Sequence, residues 1–170
     1  FFTNSGAEAV EAAIKTARKY STSNFSKSKN EIIAFNDAFH GRTMMAIALN
    51  GSKRMTDGFG PMPKSIKHHE FNKIDGLEAK FSNNTSAVIL ELVQGEAGII
   101  PAKKKFVNAI VKLCQKSNAL LIIDEVQSGV GRTGSLFAYE QYGIKPDILC
   151  SAKGLGNGIP IGAMLTTDKV

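Results

Sequence analysis

Hydrophobic and polar positions follow two rhythms along this chain. From Ala7 to Tyr20, Val10, Ala13, Ile14 and Ala17 recur at helical spacing, which predicts an amphipathic helix. Phe106, Ile110, Leu113 and Cys114 mark a second helix of good periodicity. Helical character is also expected over His40–Leu49 and, weakly, over Ile74–Phe81, with a Gly/Pro-rich loop between them at Gly51–Pro63. Short apolar runs alternate with these stretches: EIIAF at Glu31–Phe35, AVILELV at Ala87–Val93, ALLII at Ala119–Ile123, then Asp147–Cys150 and Gly162–Thr166. Runs such as ALLII lack the in-out alternation of a half-exposed antiparallel strand and suit strands covered on both faces. The pattern therefore predicts an α/β fold with a central, mostly parallel sheet and helices on both faces. In such sheets ligands gather beyond the carboxyl ends of the strands, so the residues just after each strand are the first place to look for chemistry.

Composition changes this picture little. At 170 residues, 43% hydrophobic and 21% charged, the chain has the make-up of a globular domain. It contains no apolar run long enough for a membrane helix. No secretory pattern opens it, and Cys114 and Cys150 cannot build a disulfide framework, so an intracellular, cytoplasmic protein is expected. No His or Cys spacing resembles a zinc site, and no metal is expected. The net charge of +6 is spread over scattered lysines, apart from Lys103-Lys104-Lys105 at the start of a helical pattern. That run reads as a solvated helix face, because a nucleic-acid surface needs clustered bases with interleaved aromatics. The chain opens on Phe1-Phe2-Thr3-Asn4 without a Met, so a complete domain is an assumption for the motifs to test.

Five segments carry candidate chemistry. Ser5 and Glu8 have capping-box spacing, and Gly6 at that helix start lets a backbone come close to an anion such as phosphate. After EIIAF comes Ala38-Phe39-His40-Gly41-Arg42-Thr43, with an aromatic face, an Arg suited to clamping a carboxylate, and a His that is either a base or structural. After AVILELV comes Gln94-Gly95-Glu96-Ala97-Gly98, whose Glu96 is either a swinging ligand or a solvated loop residue. After ALLII come Asp124 and Glu125, and two acids at a buried strand exit call for at least one cation. A nucleotide-hydrolysing reading fails because no phosphate-binding G-x-x-x-x-G-K-[ST] loop exists in the chain. Finally Lys153 follows Asp147–Cys150 and leads into a glycine-rich turn, where an amine can bond to an aldehyde or simply face water. The stretch Gly129–Gly134 matches the dinucleotide fingerprint G-x-G-x-x-G, but Asp124 to Ser128 separates it from its strand and no helix pattern follows directly.

Taken in order and spacing, these segments resemble the class III, fold type I pyridoxal-phosphate aminotransferases. The resemblance rests on FFTNSGAEA, AFHGRT, QGEAG, LLIIDEVQSGVGRTG and PDILCSAKGLGNG, with Asp124 and Lys153 separated by 29 residues. It covers essentially the whole chain and absorbs the G-x-G-x-x-G match, leaving an oxidoreductase built on Gly129–Gly134 as the contrasting reading. What the resemblance implies is specific. Pyridoxal 5'-phosphate is the cofactor, Lys153 the lysine bonded to it, Asp124 the acid at the ring nitrogen and Gln127 the residue near the phenolic oxygen. Phe39 stacks on the ring, and Ser5, Gly6 and Ala7 form the phosphate cup. Arg42 clamps the substrate carboxylate and Glu96 switches between substrates. Lys153 and Asp124 are the catalytic pair.

Within the class the motifs are most similar to the acetylornithine branch. That implies amino-group transfer from N-acetylornithine to 2-oxoglutarate in arginine biosynthesis, with ornithine, succinylornithine or succinyldiaminopimelate as alternative donors. Leu92, where Pro is common, and Asn157, in a turn often made only of glycines, depart from the pattern. A homodimer with its active site at the subunit interface is also implied. Residues 1–170 are then expected to be the central part of a larger cofactor-binding domain. An N-terminal segment and a C-terminal small domain would lie outside it, supplying a second carboxylate-binding Arg and a Thr that reaches the partner's phosphate.

Overall fold

The computed structural model describes residues 1–170. Its strands are β1 (Phe2–Thr3), β2 (Glu31–Phe35), β3 (Ile66–His69), β4 (Thr85–Glu91), β5 (Val93–Gln94), β6 (Ile100–Pro101), β7 (Leu120–Asp124), β8 (Ile148–Ser151) and β9 (Gly162–Thr166). The helices are α1 (Gly6–Asn24), α2 (Met44–Leu49), α3 (Lys53–Thr56), α4 (Lys104–Ser117) and α5 (Tyr139–Tyr142). Seven strands form one sheet in the order β1-β9-β8-β7-β4-β2-β3, and β5 pairs with β6 in a small hairpin. The run β3-β2-β4-β7-β8 is parallel, while β9 runs antiparallel to β8 and to β1. The expected mostly parallel sheet is therefore the one observed.

Each apolar strand feeds two cores because successive side chains point to opposite faces. Ile32, Ala34, Ala87, Ile89, Leu120 and Ile122 pack under α1, against its Ala9, Val10, Ala13, Ile14 and Ala17. Their neighbours Ile33, Phe35, Val88, Leu90, Leu121 and Ile123 pack on the other face against Phe106, Ile110 and Cys114 of α4. The alanines of α1 let that helix lie close to the sheet. On the α4 side bulk comes from rings, with Phe106 edge-on to Phe35 at 5.1 Å and to Phe71 at 5.6 Å. Burying each such Leu, Ile or Phe side chain contributes roughly 1.5–3 kcal/mol.

Several boundaries differ from the sequence reading. The helix expected from His40 begins only at Met44, because Gly41 sits at φ +122° and Thr43 caps the first turn through its hydroxyl. Ile74–Phe81 supplies only a single 3₁₀ turn at Glu78–Lys80. The loop Gly51–Pro63 contains the short helix α3. Strand β3 is unannounced because its residues Ile66-Lys67-His68-His69 are mostly polar, and its pairing with β2 decides the structure there. Lys103, Lys104 and Lys105 are all exposed at the start of α4, as a solvated face requires.

The topology also fixes where a ligand can sit. β2 and β4 are neighbours, but the chain leaves β2 outward to β3 and leaves β4 in the opposite direction, to β7 and then β8. At such a switch the loops part and open a crevice beyond the carboxyl ends.

Candidate active site

Phe39 to Arg42 hang off the end of β2 in an extended loop, and Asn50 holds it. Its Oδ1 accepts from the His40 N–H at 2.7 Å, and its Nδ2 donates to the Gly41 carbonyl at 3.1 Å. A Cβ on Gly41 would lie 2.6 Å from that of Ala7, so only glycine lets this loop rest on the start of α1. That start is built as the sequence reading expects, with one difference. Ser5 Oγ accepts from the Glu8 N–H at 3.2 Å, but Glu8 reaches back to the N–H of Asn4 at 2.8 Å, one residue before the cap. Gly6 proves to be a packing residue: a Cβ there would meet the two methyls of Val126 at 2.7 and 2.9 Å. Ser5, Gly6 and Ala7 at this helix start border the crevice, a place where unpaired N–H groups favour an anion.

Asp124 closes β7 and is 3% exposed. Its Oδ1 accepts from the Val126 N–H at 3.0 Å, and its Oδ2 takes His40 Nδ1–H at 2.7 Å. The side chain that meets the first of the two acids after ALLII is thus His40. Glu125 turns away and is satisfied by the Ser128 hydroxyl at 2.5 Å and the Tyr139 N–H at 2.8 Å. On the neighbouring strand, Glu91 stands in register with Asp124 and accepts the Phe39 N–H at 2.9 Å. Burial pushes the Glu91 carboxyl up to about 7, aided by Asp124 and opposed by His40, the Phe39 N–H and Lys153. Burial pulls the His40 imidazole down, but the hydrogen bond and charge of Asp124, with the charge of Glu91, carry it above its ordinary value.

Gln127 lies across the crevice mouth, and its amide occupies the space a Cβ on Gly95 would need. The glycine before Glu96 therefore serves Gln127, while Glu96 itself is exposed and forms no ion pair. Arg42 lies over the Phe39 ring at 5.9 Å. Lys153 follows β8 and is exposed, with its backbone at φ +44°. A non-glycine residue held in that region stores of order 1 kcal/mol or more and tends to mark functional sites. Asn157, the departure from an all-glycine turn, is at φ +46°, a conformation that Asn tolerates well.

One cavity of about 690 Å³ is bordered by Ser5, Gly6, Ala7, Phe39, Arg42, Glu96, Asp124, Gln127 and Lys153 together. His40 and Glu91 border it too. The sequence reading left His40 open between base and structural residue and gave Glu91 and Asn50 no part. The available signal for Glu91 was an acid ending an otherwise apolar strand; for Asn50 there was none. Gly129–Gly134 does not border the cavity, and Gly131 and Gly134 lie in a turn at φ +82° and +97° with no helix start behind them.

A parallel sheet covered on both faces, with this cavity at its switch point, is the architecture of fold type I aminotransferases. The chain belongs to the class-III aminotransferase family, whose description, Aminotransferase class-III, matches residues 1–170. It is 53% identical over 170 residues to an acetylornithine aminotransferase of Vibrio cholerae, covering 100% of this chain and 42% of that protein. It is 51% identical, with the same coverage, to a succinylornithine transaminase of Photorhabdus laumondii. Among solved structures it superposes on an ornithine aminotransferase from Toxoplasma gondii, described with PLP partly occupying its active site. There the TM-score is 0.93 at 32% identity, over 99% of this chain and 41% of that one. The chain thus spans 42% of the length of these curated relatives.

Proposed function

We propose that this chain carries the pyridoxal 5'-phosphate site of a transaminase that takes the amino group of N-acetylornithine and passes it to 2-oxoglutarate. The observation that carries the reading is the convergence of Ser5, Gly6, Ala7, Phe39, Arg42, Glu96, Asp124, Gln127 and Lys153 on one cavity at the strand ends. The donor set fits the cofactor: a helix start for a dianion, an aromatic face for a ring, a buried acid for a ring nitrogen and an amine for an aldehyde. When bound, pyridoxal phosphate supplies the electron sink that makes the carbon bearing the amine acidic.

The chain's own residues do the rest. The N–H groups at the start of α1 hold the phosphate without a basic side chain. Phe39 would cover one face of the ring, and the Gln127 amide would donate toward its phenolic oxygen. Asp124, with both oxygens engaged and little freedom to turn, would hold a proton on the ring nitrogen. Lys153, at the cavity's edge, would supply the amine that holds the cofactor's aldehyde and the base that moves the substrate's Cα proton. Arg42 receives the α-carboxylate as a planar two-pronged donor, its guanidinium steadied by the Phe39 ring. Glu96 is free to pair with an incoming cation or to swing aside for the dicarboxylate 2-oxoglutarate.

The succinylated donor is the second reading, favoured by a specific feature. Glu96 also borders a polar cavity of about 650 Å³ that contains Arg54 and Lys103, neither engaged in a salt bridge. These cations suit a donor with an acidic tail. The wider assignment follows the family: residues 1–170 as the central part of a larger cofactor domain, a cytoplasmic homodimer, and a role in arginine biosynthesis. Two experiments test the reading on the whole protein. Borohydride reduction with bound cofactor, then peptide mapping, should leave the label on Lys153, and a label on another lysine refutes it. Rates with acetyl-, succinyl- and free ornithine should favour the acetylated donor, and a strong preference for free ornithine overturns that choice.

A further inference from the structure

We propose that Asn50 is a positioning residue of the site: its side-chain amide grips the loop backbone between Phe39 and Arg42 and so sets the aromatic ring and the carboxylate clamp against each other before substrate arrives. The inference rests on the pyridoxal phosphate reading above and deepens it. Asn50 Oδ1 accepts from the His40 N–H at 2.7 Å, which belongs to the peptide unit that leaves Phe39. Its Nδ2 donates at 3.1 Å to the Gly41 carbonyl, which belongs to the peptide unit that enters Arg42. One planar amide thus holds both ends of the span between the aromatic and the clamp. Within that span Gly41 sits at φ +122°, a conformation that glycine alone adopts freely, so a loop released by Asn50 could swing about it.

Asn50 can act as an anchor because it is itself held. It ends α2 with its backbone N–H bonded to the Ile47 carbonyl, and it is 0% exposed. Gly51 behind it, at φ +65°, lies so close to the end of β2 that a Cβ there would be 2.9 Å from Asn36 Cα. Nδ2 also donates to Met55 Sδ at 3.1 Å, so the amide has a partner for each of its hydrogens. A buried amide costs free energy unless it is bonded, and a residue that only filled this space would be apolar. Glu91 and Asp124 hold the same loop, through the Phe39 N–H and the His40 ring, but both act before Gly41. Arg42 is exposed and forms no salt bridge, and its guanidinium lies 5.9 Å from the centre of the Phe39 ring. Its aim therefore depends on the backbone that carries it, and Asn50 holds the peptide unit where that backbone enters Arg42.

The test uses the whole protein. In the cofactor-free state, hydrogen exchange across Phe39–Arg42, read by mass spectrometry, should be about tenfold faster in Asn50→Ala than in the parent. Loaded with pyridoxal phosphate, the same variant should raise KM for N-acetylornithine about tenfold and keep kcat within about threefold, the mark of lost ground-state binding. Asn50→Asp keeps the acceptor for His40 but not the donor for Gly41, and should fall between the other two in both readouts. Ile110→Val lowers Tm from the core beneath α4, and should leave exchange in this loop and KM within about twofold of the parent. Exchange or KM in Asn50→Ala that matches the parent overturns the proposal, as does an equal change in Ile110→Val. Borohydride trapping on the parent separates the two levels. No label on Lys153 ends the cofactor reading and the ring and clamp roles with it, whereas unchanged exchange ends the role of Asn50 whatever the label shows.

Discussion

Glu91→Gln should make the protein more stable at alkaline pH and leave it nearly unchanged in acid. Glu91 is 5% exposed and stands beside Asp124, and its carboxyl is raised from 4.5 to about 7 in the folded chain. A group whose pKa is raised on folding favours the folded state while protonated. Its contribution is complete below 4.5 and is lost as pH rises through about 7. The rise corresponds to about 3 kcal/mol between those limits. Glutamine keeps the shape and can still accept the Phe39 N–H, but carries no charge to desolvate. Urea denaturation of both proteins from pH 4.5 to 8 should show their difference growing in favour of the variant by up to about 3 kcal/mol. His40 adds a pH dependence of the same sign, since its pKa is also raised, but its loss falls above 6.5, whereas most of the Glu91 window lies below it. A stability difference that is flat across this range, or one that favours the parent as pH rises, refutes the reasoning.

Other substitutions probe the scaffold and the clamp. Gly6→Ala puts a methyl into Val126 and should lose about 1–3 kcal/mol, read as a lower Tm, together with weaker cofactor binding in a fluorescence titration. Phe106→Ala removes a fully buried ring from the Phe35–Phe71 cluster and should cost about 3–5 kcal/mol in chemical denaturation. Arg42→Lys keeps the charge but loses the planar fork and the stacking on Phe39. It should raise KM for the amino donor by about tenfold to a hundredfold, the worth of one charged hydrogen bond, with kcat less affected.

How far the sequence reveals this molecule depends on where each determinant lies along the chain. Strands such as β4 and β7 are legible because both of their faces are buried, so the runs Ala87–Leu90 and Leu120–Ile123 are wholly apolar and announce them. Strand β3 is hidden because its edge position lets it be polar; only its hydrogen bonds to β2 define it. Site residues that follow strands, Asp124, Glu96 and Lys153 among them, are legible because the fold delivers strand ends to one place. Asn50 is not, because it acts across ten residues by holding backbone groups, and nothing in its own neighbourhood marks an Asn as a strut.

The backbone around Lys153 bears on how the scaffold would hold the amine proposed to bond the cofactor. Val130 and Lys153 are both non-glycine residues in the left-handed region, at φ +55° and +44°, and a β-branched residue there is the more strained of the two. Gly154, next to Lys153, lies against Val130: a Cβ there would be 3.3 Å from that of Val130. The loop after Asp124 and the turn after β8 therefore pack closely beside Lys153, which borders the cavity. Gly129 is needed to let that loop pass, since a Cβ there would lie 2.7 Å from the Glu125 carbonyl. The glycines of Gly129–Gly134 thus serve packing and turning, which accounts for the literal match to a dinucleotide fingerprint. Relaxing either member of the strained pair would free the turn and let the amine wander. Val130→Gly should therefore raise stability or leave it unchanged while it lowers the fraction of cofactor trapped on Lys153 by borohydride, and unchanged trapping would show that the strain has no part in aiming the amine.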